Sequence, residues 1–142
     1  MSELRELYLT DCKKLKAIDL INFLNNTAAT GLERLDFKGI TPPTSELFQA
    51  LSKHPTLKYV NLNYINPFFQ GQTFTDDDLS VLIRSLPELN SLLLNNCLKK
   101  KKVKTIEEIP RQLINLKELG LNGCDSLSDK FFDNLVEQCK EL

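Results

Sequence analysis

One apolar frame occurs five times along this chain of 142 residues. Each copy places an apolar residue at positions one, four and six of a nine-residue stretch and ends on Cys or Ile. Successive copies are 28, 25, 32 and 27 residues apart, and a sixth would begin at Leu142. A frame repeated at this period is typical of a solenoid, in which each unit buries its apolar face against its neighbours. The five copies begin at Leu4, Leu32, Leu57, Leu89 and Leu116.

Each frame predicts a short strand over its positions three to five, followed by a helix. Helix starts are indicated by capping residues and apolar stripes. Strands and helices that alternate in one direction give a parallel sheet, so we expect an α/β fold in a single domain over residues 1–142. The first helix is expected near residues 15–25, and the others are predicted to be capped by Ser45, Thr75, a Thr105–Glu108 capping box and Ser128. Pro110 predicts that the fourth helix starts late or is irregular.

Position nine carries Cys12, Cys97 and Cys124 in three units, and Ile40 and Ile65 in the other two. The whole chain therefore resembles the leucine-rich repeat family, and its cysteines resemble the cysteine-containing subtype of F-box substrate receptors and, in part, the ribonuclease-inhibitor-like subtype. This resemblance implies an α/β leucine-rich repeat solenoid of about five repeats, with a curved parallel sheet on the concave face and helices on the convex face.

The same frame predicts which side chains face away from the core. Because side chains alternate along a strand, positions three, five and seven face the concave side when four and six face inward. The central part of that face combines aromatic, Arg and Leu side chains with amides, which suits a protein-binding patch. Solvated strand residues with no partner are the alternative. The predicted partner-binding residues are Tyr8, Arg34, Asp36, Lys38, Tyr59, Asn61, Asn63, Leu93 and Asn95.

Composition excludes several other function classes. A net charge of −1 argues against a general nucleic-acid or membrane binder. The four cysteines lack the close pairs of a disulfide framework or a zinc site, so we expect free thiols and neither metal nor cofactor. Cys97 and Cys124 are expected to be neighbours in space. No convergent nucleophile, base and metal set indicates an enzyme. No signal peptide is visible, and a cytoplasmic or nuclear location is expected.

Three local features allow two interpretations each. Lys99–Lys102 form either a solvated loop or a basic contact site. The phenylalanines of the Asn66–Phe74 insertion either pack under the neighbouring repeat or form an exposed contact at the rim. Asp76–Asp78 are either helix-start residues or a cation site, and the first interpretation is favoured. His54, before Pro55, is expected to help the carbonyl end of its own helix.

The leading functional interpretation is a protein–protein interaction module that binds another protein on the concave strand face. The family resemblance adds two alternatives, a substrate-recognition segment of an F-box-type ubiquitin ligase adaptor and a microbial effector that binds a host protein. Both ends fall inside the repeat frame without a polar cap. We therefore expect a piece of a longer solenoid, an unusual cap, or a homo-oligomer formed through the ends.

Overall fold

The computed structural model describes residues 4–26, 31–40, 44–64, 74–98, 104–125 and 127–142. Strands and helices alternate through these residues. The strands are β1 (Glu6–Tyr8), β2 (Arg34–Asp36), β3 (Tyr59–Asn61), β4 (Ser91–Leu93) and β5 (Glu118–Gly120). The helices are α1 (Ala17–Asn26), α2 (Ser45–Leu51), α3 (Asp76–Ser85), α4 (Ile109–Gln112), which follows a 3₁₀ turn at Thr105–Glu108, and α5 (Asp129–Gln138).

The described strands form one parallel sheet in the order β1-β2-β3-β4-β5. Every strand covers positions three to five of its frame, as predicted. The register places equal frame positions side by side, so the position-four residues form one row across the sheet. That row is Leu7, Leu35, Val60, Leu92 and Leu119. The prediction of a parallel α/β repeat fold is therefore confirmed at the level of its strands and their order.

The core lies between this row and the helices. Leu35, Val60 and Leu92 are fully buried, and the position-six residues Leu62 and Leu94 lie beside them. Helices follow one another along the chain, with α1 against α2, α2 against α3 and α4 against α5. Each fully buried aliphatic side chain contributes about 1.5–3 kcal/mol of transfer free energy. The repeated frame thus supplies one layer of the core and the helices supply the other.

In four of the five units, a residue in the left-handed conformation occupies frame position eight, at the turn that follows the strand. Asp11, Gly39, Asn96 and Gly123 have φ of 56°, 75°, 63° and 83°. Gly, Asn and Asp tolerate this conformation better than other residues, because of the absent Cβ in Gly and local hydrogen bonding in the other two. A Cβ at Gly39 would also collide with the side chain of Asp11 in the preceding repeat. The turn therefore selects its residue types independently of the apolar frame.

The predicted caps are confirmed for two helices. Thr75 and Asp78 form a reciprocal capping box at α3, and the side chain of Ser128 accepts a hydrogen bond from the backbone N–H of Phe131 at α5. At α2 the prediction was wrong by one residue, because Thr44 is the cap and accepts a hydrogen bond from the backbone of Leu47.

The predicted capping box at Thr105 and Glu108 was wrong. These residues form a 3₁₀ turn in which Thr105 is buried, and its N–H and hydroxyl donate to the side chain and backbone carbonyl of Asp76. Pro110, which has no N–H to donate, lies in the first turn of the short α4, so the regular helix starts only at Ile109. The late, irregular start indicated by Pro110 is confirmed.

Part of the long insertion is core. Phe74 is buried and stacks on Phe48 of the preceding unit, with ring centroids 4.4 Å apart, as predicted for an insertion that packs under its neighbour. The other insertion residues, Ile65 and the Lys99–Lys102 run lie outside the described residues. None of the described helices is long and apolar enough to span a membrane.

Two adjacent residues of α3, one buried and one exposed, test which side of this helix faces the core. Leu82→Ala is expected to lower the free energy of unfolding by about 2–5 kcal/mol, because Leu82 is fully buried. Val81→Ala is the matched control: Val81 is 51% exposed, and the change is expected to stay within about 0.5 kcal/mol. Urea denaturation measures both, and equal losses would contradict the assignment of the buried side.

Candidate functional site

The side chains at frame positions three, five and seven form three rows on the sheet, here called the open face. Strand pairing aligns the first two rows, and backbone hydrogen bonds from Asp11, Gly39, Tyr64 and Asn96 to the next unit align the third. The rows are Glu6, Arg34, Tyr59, Ser91 and Glu118; Tyr8, Asp36, Asn61, Leu93 and Gly120; Thr10, Lys38, Asn63, Asn95 and Asn122. All nine predicted partner-binding residues therefore lie on one face.

Arg34 is held between two tyrosines. Its Nε donates to the Tyr8 hydroxyl at 2.8 Å, and that hydroxyl donates to Glu6 Oε2 at 3.2 Å. Its guanidinium carbon lies 4.3 Å from the centre of the Tyr59 ring, within cation–π range. The hydrogen bond with Tyr8 is the largest cause that raises the pKa of Arg34 above its ordinary value. A side chain that is usually mobile is thus fixed by contacts from the strands on both sides of its own, β1 and β3.

The carboxylate of Asp36 connects three strands from a buried position. Oδ1 accepts from Thr10 Oγ1 at 2.8 Å and from the backbone N–H of Lys38 at 3.1 Å. Oδ2 accepts from Asn61 Nδ2 at 3.0 Å and from the Tyr59 hydroxyl at 3.3 Å. Four donors to one carboxylate offset the cost of burying its charge. Asp36 therefore positions its neighbours on the open face.

Tyr59 connects the contacts of Arg34 with those of Asp36, because its ring contacts Arg34 and its hydroxyl donates to Asp36. Burial is the largest cause that raises the pKa of this phenol. The hydrogen bond from Asn61 lowers it, and the negative charge of Asp36 raises it further. The fold therefore favours the protonated phenol, the form that can donate to Asp36.

Asparagines extend the network towards β5. Asn61 Oδ1 accepts from the backbone N–H of Asn63 at 3.1 Å within one unit. Asn63 Oδ1 then accepts from the backbone of Asn95 in the next unit, and Asn95 Oδ1 from Asn122 in the one after, both at 2.8 Å. We call this series of asparagine side chains, Asn61, Asn63 and Asn95, the asparagine ladder. A Cβ on Gly120 would lie 2.8 Å from Asn95 Nδ2, so this glycine leaves room for the ladder. Asn at position seven of successive units is the sequence signal for it.

The nine residues divide by exposure. Tyr8 is 52% exposed, and partial exposure is shared by Arg34, Lys38, Tyr59, Asn63 and Asn95. Asp36, Asn61 and Leu93 are only 8%, 5% and 9% exposed. The first six are accessible at the surface of the open face, whereas the last three are buried within it. Sequence reasoning did not separate these groups, because alternation assigns a face and not a depth.

Cys97 and Cys139 are buried, Cys12 and Cys124 are partly exposed, and none of the four forms a disulfide. Cys97 Sγ donates to the carbonyl of Leu62 at 3.0 Å, and Cys139 Sγ lies 3.4 Å from the carbonyl of Leu113. Burial raises the pKa of the Cys139 thiol, which keeps it protonated and able to donate. Within the described part of the chain, no group of three His, Cys, Asp or Glu residues could hold a metal ion.

His54 is buried and connects two units. Its Nε2 lies 2.9 Å from the carbonyl of Leu24 in α1, while its Nδ1 has no hydrogen-bond partner among the described residues. The expectation that it would help the end of its own helix was wrong, since its side chain contacts the helix of the preceding unit. The physical reason is its burial, which directs the imidazole to the backbone carbonyl of Leu24 in the preceding unit.

Asp36→Ala is expected to lower the free energy of unfolding by about 2 kcal/mol, because the Tyr59 hydroxyl and the buried Asn61 amide lose the carboxylate oxygen that accepts from them. Asp133→Ala, at an exposed position of α5, is the control and is expected to change stability by less than about 0.5 kcal/mol. Chemical denaturation measures both. Equal effects would contradict the role given to Asp36.

The raised pKa of Tyr59 gives a pH prediction. The phenolate absorbance of the wild type minus that of Tyr59→Phe is expected to titrate with a midpoint above the ordinary value of about 10. Because the folded pKa is raised, the stability that Tyr59 contributes is fully present below the unfolded pKa and is lost as the pH rises through the folded value. A midpoint at or below the ordinary value would contradict the burial of this hydroxyl.

No protein-family model and no curated protein matches this chain. Solved structures do match it. The tropomodulin C-terminal domain of Caenorhabditis elegans superposes with a TM-score of 0.67 at 13% identity, covering 99% of this chain and 84% of that one. Actin-binding site 2 of leiomodin-1 superposes with a TM-score of 0.58 at 16% identity, covering 99% of this chain and 81% of that one. The likeness shows a shared fold over nearly the whole chain.

These two solved structures correct the predicted leucine-rich-repeat subtype. The assignment to the cysteine-containing, F-box-associated or ribonuclease-inhibitor-like subtype is wrong, because the chain shares its fold with the tropomodulin and leiomodin-1 domains. The physical reason lies at position nine. Cys97 is a small buried side chain that hydrogen-bonds a neighbouring carbonyl, and Ile40 packs against the same core. Cysteine at this position therefore reports packing and does not identify a subtype.

Proposed function

We propose that this chain is a non-enzymatic protein-binding module, a leucine-rich-repeat-type solenoid whose open face is the concave surface that contacts a partner protein. The observation that carries the proposal is the fixed cluster around Arg34, in which Tyr8 and Tyr59 hold the guanidinium while remaining partly exposed. Tyr and Arg are the residue types that most often dominate binding energy at protein interfaces. A cytoplasmic or nuclear location stays a prediction of the sequence.

Preorganisation supports the same proposal. Binding normally costs about 0.5–1.5 kcal/mol for each long side chain that becomes immobilised. Here the hydroxyl of Tyr8 and the ring of Tyr59 already hold Arg34 in place, and Asp36 already holds Tyr59. A partner that contacts this cluster therefore meets side chains whose ordering cost was met during folding. Solvated strand residues with no role would not need such a network.

Actin is the first partner that we propose to test. The support is the fold shared with leiomodin-1, whose matching domain is named as an actin-binding site. At 16% identity this likeness concerns the fold, so the residues of the open face have to be tested on their own. Monomeric and filamentous actin are separate partners in that test, measured by fluorescence titration and by co-sedimentation.

Arg34→Ala and Tyr59→Ala are each expected to weaken partner binding by at least about 1 kcal/mol, or roughly five-fold, because both remove a fixed anchor from the open face. Arg111→Ala, an exposed arginine on the helix side, is the matched control and is expected to leave the affinity unchanged. Affinities are compared only for variants with wild-type unfolding curves.

Two outcomes would count against different parts of this proposal. If neither form of actin binds, actin is removed as the partner. Affinity capture with mass spectrometry then compares the wild type with the Arg34→Ala, Tyr59→Ala double variant. If every protein captured by the wild type is captured equally by the double variant, the open face is not the binding surface.

A further inference from the structure

The central part of the open face uses its own hydrogen-bond acceptors inside the fold. The carboxylate of Asp36 accepts four hydrogen bonds. The side-chain oxygens of Asn61, Asn63 and Asn95 each accept from a backbone N–H. The Tyr59 hydroxyl donates to Asp36 and accepts from Asn61 Nδ2 at 3.4 Å. A partner that reaches this surface therefore meets acceptors that are already engaged.

The donors beside these acceptors are left available. Arg34 uses Nε for the Tyr8 hydroxyl, and its two terminal nitrogens form no hydrogen bond or ion pair with the described residues. Within the same part of the chain, Lys38 Nζ and the Nδ2 groups of Asn63 and Asn95 also have no partner. All four side chains are partly exposed, and we call these four residues the donor set.

Three members of the donor set form one row. Lys38, Asn63 and Asn95 occupy position seven of consecutive units, which backbone hydrogen bonds from Gly39 to Asn63 and from Tyr64 to Asn95 hold in register. Because neighbouring strands lie about 4.8 Å apart, the ends of this row are roughly 10 Å apart, the length of about three extended residues. The amides of Asn63 and Asn95 are fixed, since their oxygens hold the backbone of the following unit.

The charges of the open face limit the length of an anionic partner. Its exposed acidic residues, Glu6 and Glu118, lie at position three of β1 and β5, on the two outer strands of the described sheet. A long polyanion laid across all five strands, such as a nucleic acid, would meet both carboxylates. A short acidic segment over the central strands meets Arg34 and Lys38 instead. Charge complementarity therefore favours a short acidic stretch of a protein.

We propose that the donor set binds a short acidic segment of the partner protein, with carboxylates on Lys38 and Arg34 and further oxygens on the amides of Asn63 and Asn95. This inference rests on the proposed function, because it names the chemistry of the segment that the open face contacts. Hydrogen bonds from cationic donors to carboxylates are stronger than neutral ones. The amides lose little freedom on binding, because the asparagine ladder already orders them.

Two peptides test the chemistry of the donor set. The first is a blocked peptide with a run of glutamates between serine and glycine residues, and the second has glutamines in the same places. Each is titrated into the whole 142-residue chain, and the side-chain amide NMR signals of Asn63 and Asn95 are followed. The glutamate peptide is expected to shift these signals and to bind at least about five-fold more tightly, because only its side chains are anionic.

Nearly isosteric variants separate binding from folding. Asn63→Asp and Asn95→Asp each keep an oxygen for the backbone N–H of the following unit but exchange the free donor for an acceptor. Each is expected to weaken the glutamate peptide at least about five-fold, measured on the remaining asparagine, because like charges repel. Asn22→Asp, at an exposed position of α1, makes the same change on the helix side and is expected to keep the wild-type affinity.

Lys38→Glu provides a second test, because Lys38 Nζ contacts none of the described residues and its loss should leave the fold intact. This variant is expected to reverse the preference, so that a peptide with lysines in place of the glutamates binds more tightly than the glutamate peptide.

The inference is overturned if the Asn63 and Asn95 signals do not move at peptide concentrations on the order of 1 mM, or if both peptides bind equally. Equal shifts with a short oligodeoxythymidylate would assign the donor set to nucleic acid and also overturn it. The proposed function fails separately. If the Arg34→Ala, Tyr59→Ala double variant loses a captured protein that the two aspartate variants retain, the open face still binds a protein and only the acidic segment is rejected.

Discussion

In-register stacking of the position-four aliphatic residues is the constraint on which the rest of the structure depends. Side chains alternate along each strand, so a slip of one residue would move Leu35, Val60 and Leu92 from the core to the open face. The register that buries them also aligns the polar rows. Arg34 meets Tyr59, and Asp36 meets Asn61, because the apolar row beneath them fixes the strands. The binding chemistry that we propose is therefore a consequence of the core.

The arrangement of the polar rows requires one energetically unfavourable feature, a buried carboxylate. The side chain of Asp36 is almost inaccessible, and an isolated charge in such a place would be strongly unfavourable. Four hydrogen bonds from Thr10, Lys38, Tyr59 and Asn61 offset that cost. The same four bonds connect three strands and set the position of the Tyr59 ring. Stability and preorganisation of the open face thus depend on one group, and its replacement affects both.

The fold was largely predictable from the sequence because its signal is periodic. Five copies of one frame give the strands, their parallel order and the inward-facing residues, and Thr75 and Ser128 mark two helix starts. The misses have local causes. Thr44 and Ser45 are both good caps, and only the backbone conformation decides between them. Thr105 resembled a cap, but Asp76 of the previous unit takes its hydrogen bonds. The sequence does not list such contacts between units.

The sequence predicted which surface the candidate site residues lie on, but it did not predict which of them are exposed and which are buried. Alternation placed Arg34, Asp36 and Tyr59 on one surface, while the depth of Asp36 depends on donors contributed by neighbouring units. The prediction of the leucine-rich-repeat subtype was wrong for a related reason. Cys97 suits its position because it is small and hydrogen-bonds the carbonyl next to it, and that contact could not be read from the sequence.

The asparagine ladder limits how freely units of this chain can be exchanged. Asn63 and Asn95 each hold the backbone of the following unit, so the hydrogen-bond acceptor and the main chain that it satisfies belong to different repeats. The donors are backbone groups, so a unit that ends in asparagine at position seven can precede any other unit, and removing the fourth unit would let Asn63 accept from Asn122. A unit with Lys38 at that position supplies no acceptor. Recombination of such a chain, in evolution or in the laboratory, is therefore expected to keep asparagine at position seven of the unit that comes before the junction.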